Sequence, residues 1–139
     1  MKLNKNLILN SKINEVITAI GHFQKIIICD AGFPIPLNVN VIDISLTKNI
    51  PSFLDVYKLI IQELDIENII LATVIKFNND SLNLSINFLS KKYEINVDYI
   101  SHNKLKELSE NAYCFIKTGE SSVYANCIIE AGAHFKVEV

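Results

Sequence analysis

The segment Lys25-Ile26-Ile27-Ile28-Cys29-Asp30-Ala31-Gly32-Phe33-Pro34-Ile35-Pro36 changes character at Asp30. A run of apolar, mostly β-branched residues gives way to a carboxylate, then to a glycine and two prolines. The run predicts a buried strand over residues 25–31. Pro34 and Pro36 cannot prolong it, because each lacks the N–H that a strand ladder needs. In α/β sheets ligands bind at the carboxyl ends of strands, so a carboxylate at such an end is well placed for binding. Asp30 equally fits a turn-capping role, accepting the backbone N–H of Gly32.

Working outward, the N-terminal side carries Ile13, Val16, Ile17 and Ile20 at the spacing of one helix face, with Asn10-Ser11 before them. Gly21 stands where a helix C-terminus favours glycine. On the other side, residues 41–46 predict a second strand in which Asp43 serves as a structural hydrogen-bonding group. Pro51-Ser52 opens a helix with Ser52 and Asp55 at capping-box spacing, followed by the apolar face of Phe53, Val56, Tyr57, Ile60, Ile61 and Leu64. Residues 68–75 are unbroken in hydrophobicity and predict a central strand. Asn78-Asn79-Asp80 caps a helix to about Lys92, 95–100 alternates as a strand, and Ser101 begins a short helix through Glu110. Residues 112–117 and 124–130 predict two more strands around the Thr118-Gly119-Glu120 turn, and 133–139 a last one. Strands alternating with helices define an α/β fold: a single domain over residues 1–139 with a mostly parallel central sheet flanked by helices.

Composition narrows the function. The net charge is −2 over 139 residues, and lysines are scattered without a basic stripe, so the chain lacks the electrostatic footprint of a nucleic-acid binder. No apolar stretch approaches the roughly 18 residues of a membrane span, and Met1 to Leu9 lack the apolar run of a signal peptide. The mean hydropathy of +0.26 is high for a soluble monomer and points to apolar surface covered in subunit contacts. Cys29, Cys114 and Cys127 are far apart, each in an apolar run, and read as reduced core thiols of a cytoplasmic protein rather than as metal ligands or nucleophiles. Neither a glycine-rich phosphate loop nor zinc-ligand spacing is present.

Polar residues at element boundaries carry what chemistry the sequence offers. His22 follows the expected helix stop, and His102 lies in the first turn of a helix; each fits a surface or capping role as well as a catalytic one. His134 has no partner in sequence. Tyr124 and Asn126, two apart in an expected strand, would project to one face, where a phenol and an amide can bond sugar hydroxyls.

The order of the segments identifies the chain as resembling the D-ribose pyranase family. Leu9-Asn10-Ser11, Gly21-His22, Asp30-Ala31-Gly32-Phe33-Pro34-Ile35-Pro36, Ile42-Asp43 and Pro51-Ser52-Phe53 come first. Ser101-His102, Thr118-Gly119-Glu120, Tyr124-Ala125-Asn126 and Ala131-Gly132 follow. The resemblance, from about Leu9 to Phe135, implies interconversion of the pyranose and furanose forms of D-ribose by acid/base ring opening, with no metal and no cofactor. It also implies a cytoplasmic, ring-shaped homo-oligomer with sites where neighbouring subunits meet. Carried across, His22 is the catalytic acid, and Asp30, His102, Tyr124, Ala125 and Asn126 occupy sugar-binding positions. The family's Thr-Asp after Gly-His is here Phe23-Gln24, an acidic position is Val74, and the usual arginine before Thr-Gly-Glu is Lys117. Gln24 thus lacks the carboxylate that would hold the histidine tautomer. Two further readings are a non-catalytic sugar-binding accessory protein of an uptake system, and a mutarotase on another monosaccharide such as L-fucose.

Overall fold

A computed structural model describes residues 7–133. Eleven elements follow one another: α1 (Ser11–Ala19), β1 (Lys25–Cys29), β2 (Val41–Asp43), α2 (Phe53–Glu63), β3 (Ile66–Ala72), α3 (Ile75–Asn78), α4 (Asp80–Lys92), β4 (Val97–Ile100), α5 (His102–Ser109), β5 (Cys114–Lys117) and β6 (Cys127–Ala131). The strands form one six-stranded sheet in the order β2-β5-β1-β6-β3-β4. β6 runs antiparallel to both its neighbours, while the β1–β5, β2–β5 and β3–β4 pairings are parallel. The sheet is therefore mixed, with every strand but β6 pointing the same way.

Side chains of β1 divide by alternation, as a pleated strand requires. Ile26 and Ile28 enter a core shared with Ile13 and Val16 of α1, Phe53, Tyr57 and Ile60 of α2, and Leu82 and Ile86 of α4. Ile27 and Cys29 enter a second core on the opposite face, with Phe33, Leu105 of α5, Phe115 and Ile128. Helices thus cover both faces, and the continuous apolar run Ile26-Ile27-Ile28-Cys29 is the sequence consequence of that double burial.

Side chains cap several helix starts, Ser52 among them at the expected capping-box position. The Asn10 side chain accepts the Ile13 N–H at 3.0 Å, Ser52 that of Asp55 at 3.1 Å, and Ser101 that of Lys104 at 3.1 Å. Four expectations need correction. Gly21 is not a left-handed helix stop, since no glycine has positive φ; its N–H is instead taken by the Gln24 side-chain oxygen at 2.6 Å. The second strand ends at Asp43, whose carboxylate accepts the Ser45 N–H at 2.9 Å and turns the chain away from the ladder. Ile75 belongs to the short helix α3 rather than to the preceding strand. Tyr124, at φ 56°, begins no strand; pairing starts only at Cys127. The strand expected at 133–139 falls largely outside the described residues.

Candidate active site

The parallel strands β1, β3, β4 and β5 present their carboxyl ends at one edge of the sheet. Antiparallel β6 presents its amino end there, with Cys127 opposite Ile28 and Leu71. Asp30 after β1, His102 after β4, the Thr118-Gly119-Glu120 turn after β5 and Asn126 before β6 are thereby gathered from distant parts of the chain. Of these, Asp30, His102, Glu120 and Asn126 line a cleft of about 360 Å³ together with Phe33, Pro34, Ser122 and Tyr124. Ligand sites in open α/β sheets lie at this edge.

Asp30 is held from several directions. Its backbone N–H donates to the Asn126 side-chain oxygen at 2.9 Å, and its carboxylate accepts the Gly32 N–H at 3.0 Å. The turn-capping and ligand-facing roles are therefore filled at once. Burial pushes the Asp30 carboxyl above the ordinary carboxylate value, against the downward pull of hydrogen bonds from Gly32, the Asn126 side chain and Ala125, and of nearby His102. Asn126 is only 3% exposed, and Ala125 beneath the cleft is fully buried. Ala125 contributes its backbone N–H rather than a surface to the cleft.

His102 meets the Tyr124 ring edge-on, with centroids 5.1 Å apart at 81°. Its Nδ1 is buried and makes no hydrogen bond among the described residues. Burial, and secondarily the Lys106 ammonium, lower its pKa, with Asp30 opposing. A neutral imidazole beside a carboxylate and a phenol offers both donors and acceptors to a polyhydroxylated ligand, while Phe33, Pro34 and Val123 give it apolar contact.

The loop after β5 is fastened as firmly. Thr118 Oγ1 donates to the Cys29 carbonyl at 2.8 Å, and the Ala31 N–H donates to the Glu120 carbonyl at 2.9 Å. The Glu120 carboxylate accepts the Phe53 N–H at the start of α2 at 2.9 Å and the Ser122 hydroxyl at 2.6 Å. Asn79 does not cap α4, as its sequence position suggests. Its amide donates instead to Ser122 Oγ at 3.0 Å and the Val123 carbonyl at 2.8 Å, tying the α3–α4 junction to the cleft wall. Gly119 is obligatory: a Cβ there would lie 2.7 Å from the Ile50 carbonyl oxygen.

His22 stands apart. It precedes β1, so it lies at the amino edge of the sheet, separated from Asp30 by the length of that strand, roughly 15 Å. Asp30 is therefore no partner of His22 within one chain. Instead, His22 Nε2 lies 3.0 Å from Glu67 Oε1 at the start of β3, with the two side chains 44% and 48% exposed. The imidazole stacks on Phe23, with centroids 4.0 Å apart at 11°. Backbone bonds from Phe23 N to the Ala131 carbonyl (2.8 Å) and from Ala131 N to the Gln24 carbonyl (2.9 Å) pin the turn to the end of β6.

Elsewhere, Asp43 bonds Ser45 and lies 3.9 Å from Lys117, in keeping with its structural reading. The cysteines are free and buried, and burial pushes the Cys29 thiol up to about 12. Among the described residues no group of His, Cys, Asp or Glu is arranged to hold a metal ion, and no helix is long and apolar enough to cross a membrane.

A mixed six-stranded sheet whose carboxyl edge carries a cleft lined by a carboxylate, an imidazole, a phenol and an amide defines the class: a single-domain α/β protein with a cleft of small-molecule size. By sequence, residues 3–134 match the model of the RbsD / FucU transport protein family, and the chain belongs to that family. It is 43% identical over 139 residues to a D-ribose pyranase of Photorhabdus laumondii and 39% identical over 133 to one of Oenococcus oeni. Each comparison covers 96% of this chain and the whole of the relative. The structure of Bacillus subtilis RbsD complexed with D-ribose matches with a TM-score of 0.88 at 38% identity, covering 92% of this chain and 96% of that one. A fucose mutarotase from Streptococcus pneumoniae, in complex with L-fucose, shares the fold with a TM-score of 0.71 at 22% identity, covering 94% and 96%.

Proposed function

We propose that this chain is a D-ribose pyranase, an intramolecular isomerase interconverting the six- and five-membered rings of free D-ribose. The observation that carries the reading is the convergence of Asp30, His102, Tyr124 and Asn126 on one cleft. These are the sugar-binding positions implied by the family, and full-length relatives of about 40% identity bear the pyranase name. Asp30 and His102 are the groups for sugar hydroxyls. Tyr124 offers its ring to the apolar sugar face, and Asn126 holds Asp30 in position.

His22 is the acid/base residue in this reading, and it reaches the cleft from a second copy of the chain. Supporting this are its place at the opposite sheet edge and the exposed apolar residues that a monomer leaves uncovered, among them Leu9, Leu46, Phe77 and Phe88. A ring-shaped homo-oligomer brings the amino edge of one chain to the carboxyl edge of the next. The reaction then runs by proton movement alone. A ring nitrogen takes the anomeric hydroxyl proton, the carbonyl forms as the bond from C1 to the ring oxygen breaks, and the proton passes to that oxygen. Both oxygens sit on one carbon, so a single histidine serves both transfers. Rotation and attack by the neighbouring hydroxyl close the other ring. General acid–base help of about 10²–10⁴-fold is what such a residue supplies. Neither a metal nor a cofactor is called on, and the reduced thiols suit a cytoplasmic site.

The absence of His22 from the cleft within one chain favours a second reading, a sugar-binding protein without catalysis. Saturation-transfer NMR separates them. Added protein should accelerate exchange between D-ribose ring forms and leave L-fucose exchange less affected. Ribose binding by calorimetry without accelerated exchange would establish the second reading, and faster exchange on L-fucose than on ribose would make the chain a mutarotase.

A further inference from the structure

We propose that Glu67 is the positioning residue of His22, and that the pair fixes Nδ1 as the nitrogen that exchanges protons with the sugar. The inference rests on the reading of His22 as the acid/base residue. The position two after the histidine holds Gln24, which cannot supply a carboxylate to the ring. In the structure Gln24 has another task, closing the turn through the Gly21 N–H at 2.6 Å.

The carboxylate comes from a different strand. β6 lies between β1 and β3 in the sheet, and the amino ends of β1 and β3 lie at the same edge. Residues 45 positions apart are thus brought together, with His22 Nε2 and Glu67 Oε1 at 3.0 Å. An ionised carboxylate only accepts, so Nε2 carries the proton and donates it to Glu67. Nδ1 is then the basic nitrogen of the neutral ring, and it makes no hydrogen bond among the described residues. Stacking on Phe23 holds the plane of the ring, and the bond to Glu67 holds its rotation about that plane. When Nδ1 takes the anomeric proton, the positive charge that forms on the ring faces the Glu67 carboxylate. Glu67 touches neither sugar nor reacting atom; it acts through His22 alone.

The test compares wild type with Glu67→Ala, Glu67→Gln and His22→Ala, measuring kcat and KM for ribose ring exchange by saturation-transfer NMR. Long-range proton–nitrogen spectra report which ring nitrogen of His22 carries the proton. Glu67→Ala should lower kcat by about tenfold or more, as loss of orientation and charge support at an acid/base group does, while KM stays within twofold. Its His22 nitrogen resonances should move from a single Nε2-protonated form towards values averaged between tautomers. Glu67→Gln, which keeps an acceptor oxygen, should retain the Nε2-protonated form and recover part of kcat. Thermal melts identify a variant that fails to fold, in which case Glu67→Gln alone carries the comparison with an expected kcat below wild type. An inactive His22→Ala beside a Glu67→Ala with wild-type kcat and an unchanged nitrogen spectrum would overturn the inference and leave the His22 reading standing. Full activity in His22→Ala would remove the His22 reading itself.

Discussion

The Asn126 side-chain oxygen accepts the backbone N–H of Asp30 at 2.9 Å across 96 residues of sequence. It joins the end of β1 to the residue before β6, so a buried amide fixes the Asp30 backbone while the Gly32 N–H of its own loop holds the carboxylate. Asn126→Ala removes that acceptor and leaves the part-buried Asp30 N–H unpaired, which costs about 1–3 kcal/mol. Urea unfolding should show this loss, and calorimetry should show weaker ribose binding than wild type. Unchanged stability together with unchanged affinity would mean that Asp30 is positioned by something else.

Asp30 itself should oppose folding once ionised. Its folded pKa is raised above the ordinary value of 3.8, chiefly by burial. The folded state therefore holds more protons than the unfolded state in the window just above 3.8, and stability falls as pH rises through the folded pKa. Measured against Asp30→Asn, wild-type stability should improve as pH is lowered into that window. A difference that widens against the wild type on acidification would contradict the sign.

His102 titrates the other way. Burial first, and Lys106 second, hold its pKa below 6.5, so stability is lost as pH falls from 6.5 through the folded value. Lys106→Gln removes one of the two causes and should raise the pKa of His102. Following the ring C–H resonances of His102 through a pH titration checks this; a downward shift would show that Lys106 acts on His102 by some route other than charge.

How much of this was legible in the sequence depended on whether the signal was local. The run ending at Asp30 announced a buried strand, and the structure covers it on both faces, where burial leaves no room for alternation. Tyr124 was misread because an aromatic residue before Cys127-Ile128-Ile129 carries β propensity, and nothing local marks its left-handed backbone, φ 56°. Helix α3 was hidden since Val74 and Ile75 continue the apolar run of β3, and periodicity cannot divide so short a stretch. Asn79 looked like a helix cap, but its amide is drawn to the cleft loop. Glu67 carried no signal at all: a charged residue near a strand start is ordinary, and only the antiparallel strand inserted between β1 and β3 reveals its partner.

The central claim is that Asp30 of one chain and His22 of another complete a single site for ribose. The direct test is to prepare His22→Ala and Asp30→Asn separately, confirm that each is nearly inactive, unfold and refold them together in equal amounts, and measure ribose ring exchange by saturation-transfer NMR. In a randomly mixed homo-oligomer about a quarter of the shared sites receive both wild-type residues, so activity should return to about a quarter of the wild-type rate. A mixture no more active than the two variants measured apart would contradict the account.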